Sequence, residues 1–131
     1  MLIGFDLKKD PNKILAAYND SQGITREFNF NLLRRINKEL DANFKEENFT
    51  HSPVYDENTG ACESFLVSKR NHTVTINDYE IKFSADEKIH LEISQKYSLT
   101  EIEELLKHSG FISKAQFFDS NKWFTDIAAI K

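Results

Sequence analysis

The chain has 131 residues, the size of one ordinary domain. Hydrophobic residues make up 40% and charged residues 29%, and eleven Phe, four Tyr and one Trp supply enough large side chains to exclude general disorder. A formal charge of -4 excludes a nucleic-acid-coating role, the single Cys62 excludes an intramolecular disulfide and argues against a thiolate zinc site, and no apolar run approaches the ~20 residues of a membrane span.

The run Leu2-Ile3-Gly4-Phe5 ending at Asp6 reads as a buried strand that begins with the chain, which suggests that a preceding part is absent. Asp10 and Pro11 are an N-cap and first-turn pair for a short helix over 11–18. After the polar turn 19–23, Ile24, Phe28, Leu32, Leu33, Ile36 and Leu40 predict an amphipathic helix over 24–40 with those residues inward. Residues 51–97 read as an antiparallel meander. Val54-Tyr55 and Phe65-Leu66-Val67 flank a turn at 56–60, strands follow at 73–76 and 79–83, and the last runs over 88–96. In that last strand Ile89, Leu91 and Ile93 alternate with His90, Glu92 and Ser94, predicting one apolar and one polar face. Ser98 and Glu101 fit a capping box, Leu99, Ile102, Leu105 and Leu106 a helix stripe, and Gly110 a C-cap. Two final strands are expected at 113–118 and 123–130. The basic pairs Lys8-Lys9, Arg34-Arg35 and Lys69-Arg70 read as solvated surface charge. The N-terminus lacks the features of a signal peptide, and a cytoplasmic location is expected.

Several segments resemble the histidine-specific S-adenosylmethionine-dependent methyltransferases, which convert histidine to trimethylhistidine in ergothioneine synthesis. They are Gly4 to Asp10 (GFDLKKD), Ala17 to Asp20 (AYND), Gly23-Ile24-Thr25 leading into Phe28 to Leu33 (FNFNLL), Ile36 to Leu40 (INKEL), Ile89 to Ser94 (IHLEIS) with Lys96-Tyr97, and Gly110-Phe111. The resemblance covers essentially the whole chain in order. It implies an α/β fold, α+β as a fragment: the C-terminal part of a doubly wound class I methyltransferase sheet with an inserted antiparallel β substrate lobe. Residues 1–49 and 98–131 would belong to the methyltransferase domain and 50–97 to the lobe. The glycine-rich cofactor loop of such folds has no counterpart here. S-adenosylmethionine is therefore expected for the full-length family but not for this chain, which is expected to be inactive alone. The implied substrate is histidine or a related amino acid.

By resemblance, Asn29 stands where the family holds the α-amino end of histidine, and Glu92 and Ser94 where it grips the imidazole. Read as residues, Glu92 and Ser94 lie two apart on a strand and share a face, so a carboxylate and a hydroxyl stand side by side. Polar residues on a strand face are more often only solvated, and Asn31 competes for the place of Asn29. His90 is expected on the same polar face. Tyr18, Asn19 and Asp6 stand near the strand end, where such folds place cofactor or substrate groups, but a plain turn is the favoured explanation. No catalytic side chain, metal site, nucleic acid or membrane is expected; self-association through an exposed sheet edge is. A non-catalytic amino-acid-binding module and a structural α+β protein are the competing readings.

Overall fold

The computed structural model describes all 131 residues. The order is β1 (Leu2–Asp6), α1 (Pro11–Tyr18), α2 (Ile24–Glu39), a 3-10 turn (Glu46–Asn48), β2 (Phe49–Asp56), β3 (Ala61–Ser68), β4 (His72–Ile76), β5 (Tyr79–Phe83), β6 (Lys88–Gln95), α3 (Leu99–His108), β7 (Ile112–Phe118) and β8 (Phe124–Ile130). Local chemistry sets the helix starts. Asp10 accepts from the Asn12 amide ahead of Pro11, and Ser98 and Glu101 satisfy each other's backbone amides in a complete capping box. No helix is long and apolar enough to cross a membrane.

The strands form two three-stranded antiparallel sheets, β1-β8-β7 and β2-β3-β6, and a ribbon, β4-β5. The expected single meander is thus divided. β6 passes the ribbon and returns to β3, because the Ser68 backbone at the end of β3 bonds to both Asp86 and Glu87 and hooks the incoming strand onto that edge. The ribbon is held instead by Asn43, whose backbone and side chain both bond Thr75.

Two apolar clusters result. Phe30, Leu33, Phe44, Phe49, Leu66, Val74 and Phe83 pack between α2, the β2-β3-β6 sheet and the ribbon. Phe5, Leu7, Ile102, Leu106, Ile127 and Ala129 pack between α3 and the β1-β8-β7 sheet. Burying each large side chain is worth about 1.5–3 kcal/mol.

Two expectations are corrected. On α2 the inward row is Asn29, Leu33 and Asn37 with Phe30 beside it, while Ile24 (64% exposed), Phe28 (71%), Leu32 and Leu40 face out. Asn37 fixes this rotation: its amide donates to the Phe44 carbonyl at 2.8 Å and accepts from the Phe44 amide at 2.7 Å. On β6 the alternation breaks. Ser64 pairs with Glu92 but Phe65 with His90, so Leu91 is an extra, bulged residue. Ile89 and Leu91 join the apolar cluster, and Glu92 continues on that same side. His90 leaves the polar row, its Nε2 lying 3.2 Å from Glu63, and Ile93 is exposed.

Candidate functional site

β3 and β6 bring a row of polar side chains under α1 and α2. Cys62 pairs with Ser94 and Ser64 with Glu92 across the ladder, and directly paired residues share a face. Cys62 and Ser64 are fully buried. Ser64 donates its hydroxyl to Glu92 Oε1 at 3.3 Å, which leaves most of the acceptor capacity of that carboxylate unused. Burial pushes the Cys62 thiol up, away from the thiolate form that a nucleophile needs.

Glu92 opens into a pocket of about 200 Å³ lined by Phe28, Asn29, Asn31, Leu32, Arg35 and Leu91. Two of the three sequence-derived site residues, Asn29 and Glu92, therefore share one pocket, and Asn31 lines it as well. Asn29 is buried, and its Nδ2 lies 2.9 Å from His51 Nε2. With the amide nitrogen donating, His51 is the acceptor and Asn29 Oδ1 stays available. Burial holds the His51 pKa below its ordinary value, with the charge of Glu92 pulling the other way. His51 also lines a larger open pocket of about 520 Å³ with Asn12, Leu15, Ala16, Asn19, Ser52 and Pro53.

Ser94 is not in the Asn29–Glu92 pocket lining. It belongs to a cluster around Lys96, which is 1% exposed. Lys96 Nζ lies 2.7 Å from Asp6 Oδ2, 2.7 Å from the Tyr18 hydroxyl and 2.7 Å from Ser94 Oγ. Asp6 Oδ1 accepts in turn from Lys9 at 2.6 Å. Burial disfavours both charges, but hydrogen bonds from Lys9 and Lys96 hold Asp6 below the usual carboxylate range, and those to Asp6 and Tyr18 hold Lys96 above its ordinary value. The cluster thus joins the end of β1, the end of α1 and the end of β6. Asp6 and Tyr18, weighed against plain turn residues, both take part. Lys96 was missed in the sequence, although it lies two residues beyond Ser94 and so shares its side of the strand.

Gly60 supports the cluster. Its carbonyl accepts from the Lys96 amide at 2.7 Å, its φ is +77°, and a Cβ there would overlap the Lys96 carbonyl and the Lys8 side chain. No group of three or more His, Cys, Asp or Glu side chains is arranged to hold a metal ion. The sheet face offers the Glu92 carboxylate and, in the neighbouring Lys96 cluster, the Ser94 hydroxyl, while α2 and α1 add the Asn29 carbonyl and the Tyr18 hydroxyl, a set suited to a small molecule with both N–H donors and bare acceptors.

A family model described as histidine-specific, SAM-dependent methyltransferase matches residues 1–131. A histidine N-alpha-methyltransferase of Mycolicibacterium smegmatis is 30% identical over 130 residues, which is 98% of this chain and 38% of that protein. The corresponding protein of Mycobacterium tuberculosis is 33% identical over 99 residues, 74% of this chain and 31% of its own length. The ergothioneine biosynthesis protein 1 of Neurospora crassa is 32% identical over 126 residues, 94% of this chain and 14% of that one. The chain spans well under half the length of these relatives.

Proposed function

The chain belongs to the histidine-specific, S-adenosylmethionine-dependent methyltransferase family, and on that premise we propose that it forms a substrate-holding part of an enzyme that methylates the α-amino group of histidine. The observation that carries this reading is the pocket shared by Asn29 and Glu92, with Ser94 two residues further along the same strand face. A neutral imidazole has one N–H and one bare nitrogen. Glu92, with spare lone pairs, accepts from the N–H. Ser94, whose oxygen already accepts from Lys96, donates to the bare nitrogen. Asn29 Oδ1 takes the α-amine. Transfer of a methyl group from a sulfonium needs the amine lone pair aimed at the carbon, so holding the substrate supplies most of the gain.

S-adenosylmethionine is the methyl donor that the family description names. The residues here do not fit it: Gly4, Gly23, Gly60 and Gly110 stand in four separate segments, and Gly4 and Gly60 are crowded by Phe124 and by Lys96 and Lys8, so they form no cradle for a nucleoside. This chain alone is expected to transfer no methyl group. The sheet order β1-β8-β7, with β8 antiparallel between its neighbours, supports reading residues 1–49 and 98–131 as the closing part of a doubly wound sheet. Residues 50–97 are then the inserted lobe, with α2 as its roof through Phe30 and Leu33. A cytoplasmic setting is in keeping with one buried, unpaired cysteine.

Isothermal titration of the chain with L-histidine tests the reading. Binding is expected, and Glu92→Ala should weaken it by about 1.5–3 kcal/mol, the worth of a charged hydrogen bond. Equal affinity in the variant would remove Glu92 from the site, and no binding to the chain would remove the reading for these residues.

A further inference from the structure

Lys96 is the only charged side chain in the buried set, and its surroundings explain why a lysine is kept there. An ammonium has three N–H donors and no lone pair. All three donors are used, on Asp6, Tyr18 and Ser94, each at 2.7 Å. The nitrogen can only donate, so the Tyr18 and Ser94 oxygens can only accept along those lines. Each hydroxyl has one proton, and that proton must point away from Lys96. A tetrahedral ammonium sets two such oxygens about 4.4 Å apart, a span that one acceptor atom at ordinary hydrogen-bond length can bridge.

Asp6 completes the arrangement. It is the anion that would otherwise draw the hydroxyl protons inward, but its oxygens bond Lys96 and Lys9, and neither hydroxyl makes a hydrogen bond to it. Both hydroxyls belong to half-buried residues, so neither is sealed from a ligand.

We propose that Lys96 is a positioning residue that turns the Tyr18 and Ser94 hydroxyls into a pair of donors aimed at a single unprotonated acceptor of the ligand. The inference rests on the preceding reading only for the identity of that acceptor, the bare ring nitrogen of histidine. The ordering of the hydroxyls stands on the hydrogen bonds themselves. Its consequence is selectivity: a ligand with an acceptor is held, and one offering only N–H groups at that point meets two protons head-on.

The experiment is NMR titration of the 131-residue chain with two probes, L-histidine and acetate, following Tyr18 and Ser94. Acetate carries an acceptor but no N–H, so it reports on the hydroxyl pair alone. Both probes are expected to shift Tyr18 and Ser94. Lys96→Met should weaken acetate binding about tenfold and Tyr18→Phe about threefold, and the double variant should be no weaker than Lys96→Met. A merely structural role would instead lower the stability of Lys96→Met while leaving the acetate affinity of the folded protein unchanged. If Lys96→Met does not fold, Tyr18→Phe and Ser94→Ala decide, since both leave the Lys96–Asp6 pair intact. Acetate shifting the two residues while L-histidine does not bind would sink the histidine reading and keep this one. L-histidine binding at Asn29 and Glu92 with no response at Tyr18 and Ser94 would do the reverse. Unchanged acetate affinity in all variants, or no shift with acetate, overturns the proposal.

Discussion

Asn29 on α2 and His51 on β2 meet with Nδ2 2.9 Å from Nε2, and this contact ties the helix over the pocket to the strand beneath it. It needs the imidazole neutral, because a protonated ring has no lone pair for the amide. Burial already holds the His51 pKa below its ordinary 6.5. The unfolded chain therefore takes up a proton first as pH falls, and folding loses stability from 6.5 downward until the folded ring also protonates. His51→Gln keeps an acceptor and removes the titration. Urea melts at a series of pH values should show a shallower decline in the variant across that window. Parallel curves for the two proteins would count against the neutral-His51 assignment.

A second expectation concerns Gly60. Its positive φ and the closeness of the Lys96 carbonyl leave no room for a side chain. Gly60→Ala should cost about 2 kcal/mol or more, since it combines a strained conformation with a backbone clash. The 2.7 Å bond from the Lys96 amide to the Gly60 carbonyl would lengthen. Denaturant midpoints measure the first effect and amide exchange at Lys96 the second. A variant as stable as the parent would show that the turn can relax at no cost.

These residues also mark where the sequence could be read and where it could not. The Asp10-Pro11 and Ser98–Glu101 caps were legible because a cap is a local hydrogen bond between near neighbours. Strands were legible as short apolar or β-rich runs between turn residues, and so β1, β4 and β5 fall close to where expected. The face of α2 was legible only in part: Leu33 and Ile36 point inward as expected, but Ile24, Phe28, Leu32 and Leu40 do not. Its row of Ile24, Phe28 and Leu32 is as periodic as the true inward row, and the choice is made by Asn37 bonding Phe44 across a turn. The bulge at Leu91 was equally invisible, because it depends on which β3 residue stands opposite. The family pattern singled out Asn29 and Glu92, which line one pocket, whereas the burial of Lys96 depends on Asp6 and Tyr18 meeting it from other elements and leaves no local mark, a lysine being ordinarily exposed.

The capping box makes a third expectation. Lys8 bonds the Glu101 carboxylate at 2.7 Å and the Ser98 amide bonds it as well, together holding its pKa down to about 2 from an ordinary 4.5. A carboxyl depressed in the folded state stabilises fully above 4.5 and loses that contribution as pH falls towards about 2. Lys8→Met should raise the Glu101 pKa, read directly by carboxyl NMR titration. Ser98→Ala should cost about 1 kcal/mol by leaving a first-turn amide without its cap. A Glu101 titration unmoved by Lys8→Met would mean that the ion pair is too solvated to matter.

The last expectation is self-association. In the β1-β8-β7 sheet, β1 has a strand neighbour on one side only. Tyr97 closes the far end of its other edge, accepting from the Lys8 amide and donating to the Asp6 carbonyl, but the stretch from Leu2 to Gly4 has no such cover. Leu2 is 68% exposed there, and Phe117, Phe124 and Ile130 of the same sheet are also exposed. An open edge flanked by apolar side chains invites pairing with another chain, and two copies related by a two-fold axis can join their edges antiparallel. A homodimer of the 131-residue chain is therefore expected, with Leu2, Ile3 and Phe5 at or near the contact. Leu2→Lys would set like charges against each other along the joined edges and should shift the equilibrium to monomer. Light scattering across a concentration series measures this. A clean monomer of the parent chain at roughly tens of micromolar, a concentration at which interfaces of about standard size hold, would refute the edge contact.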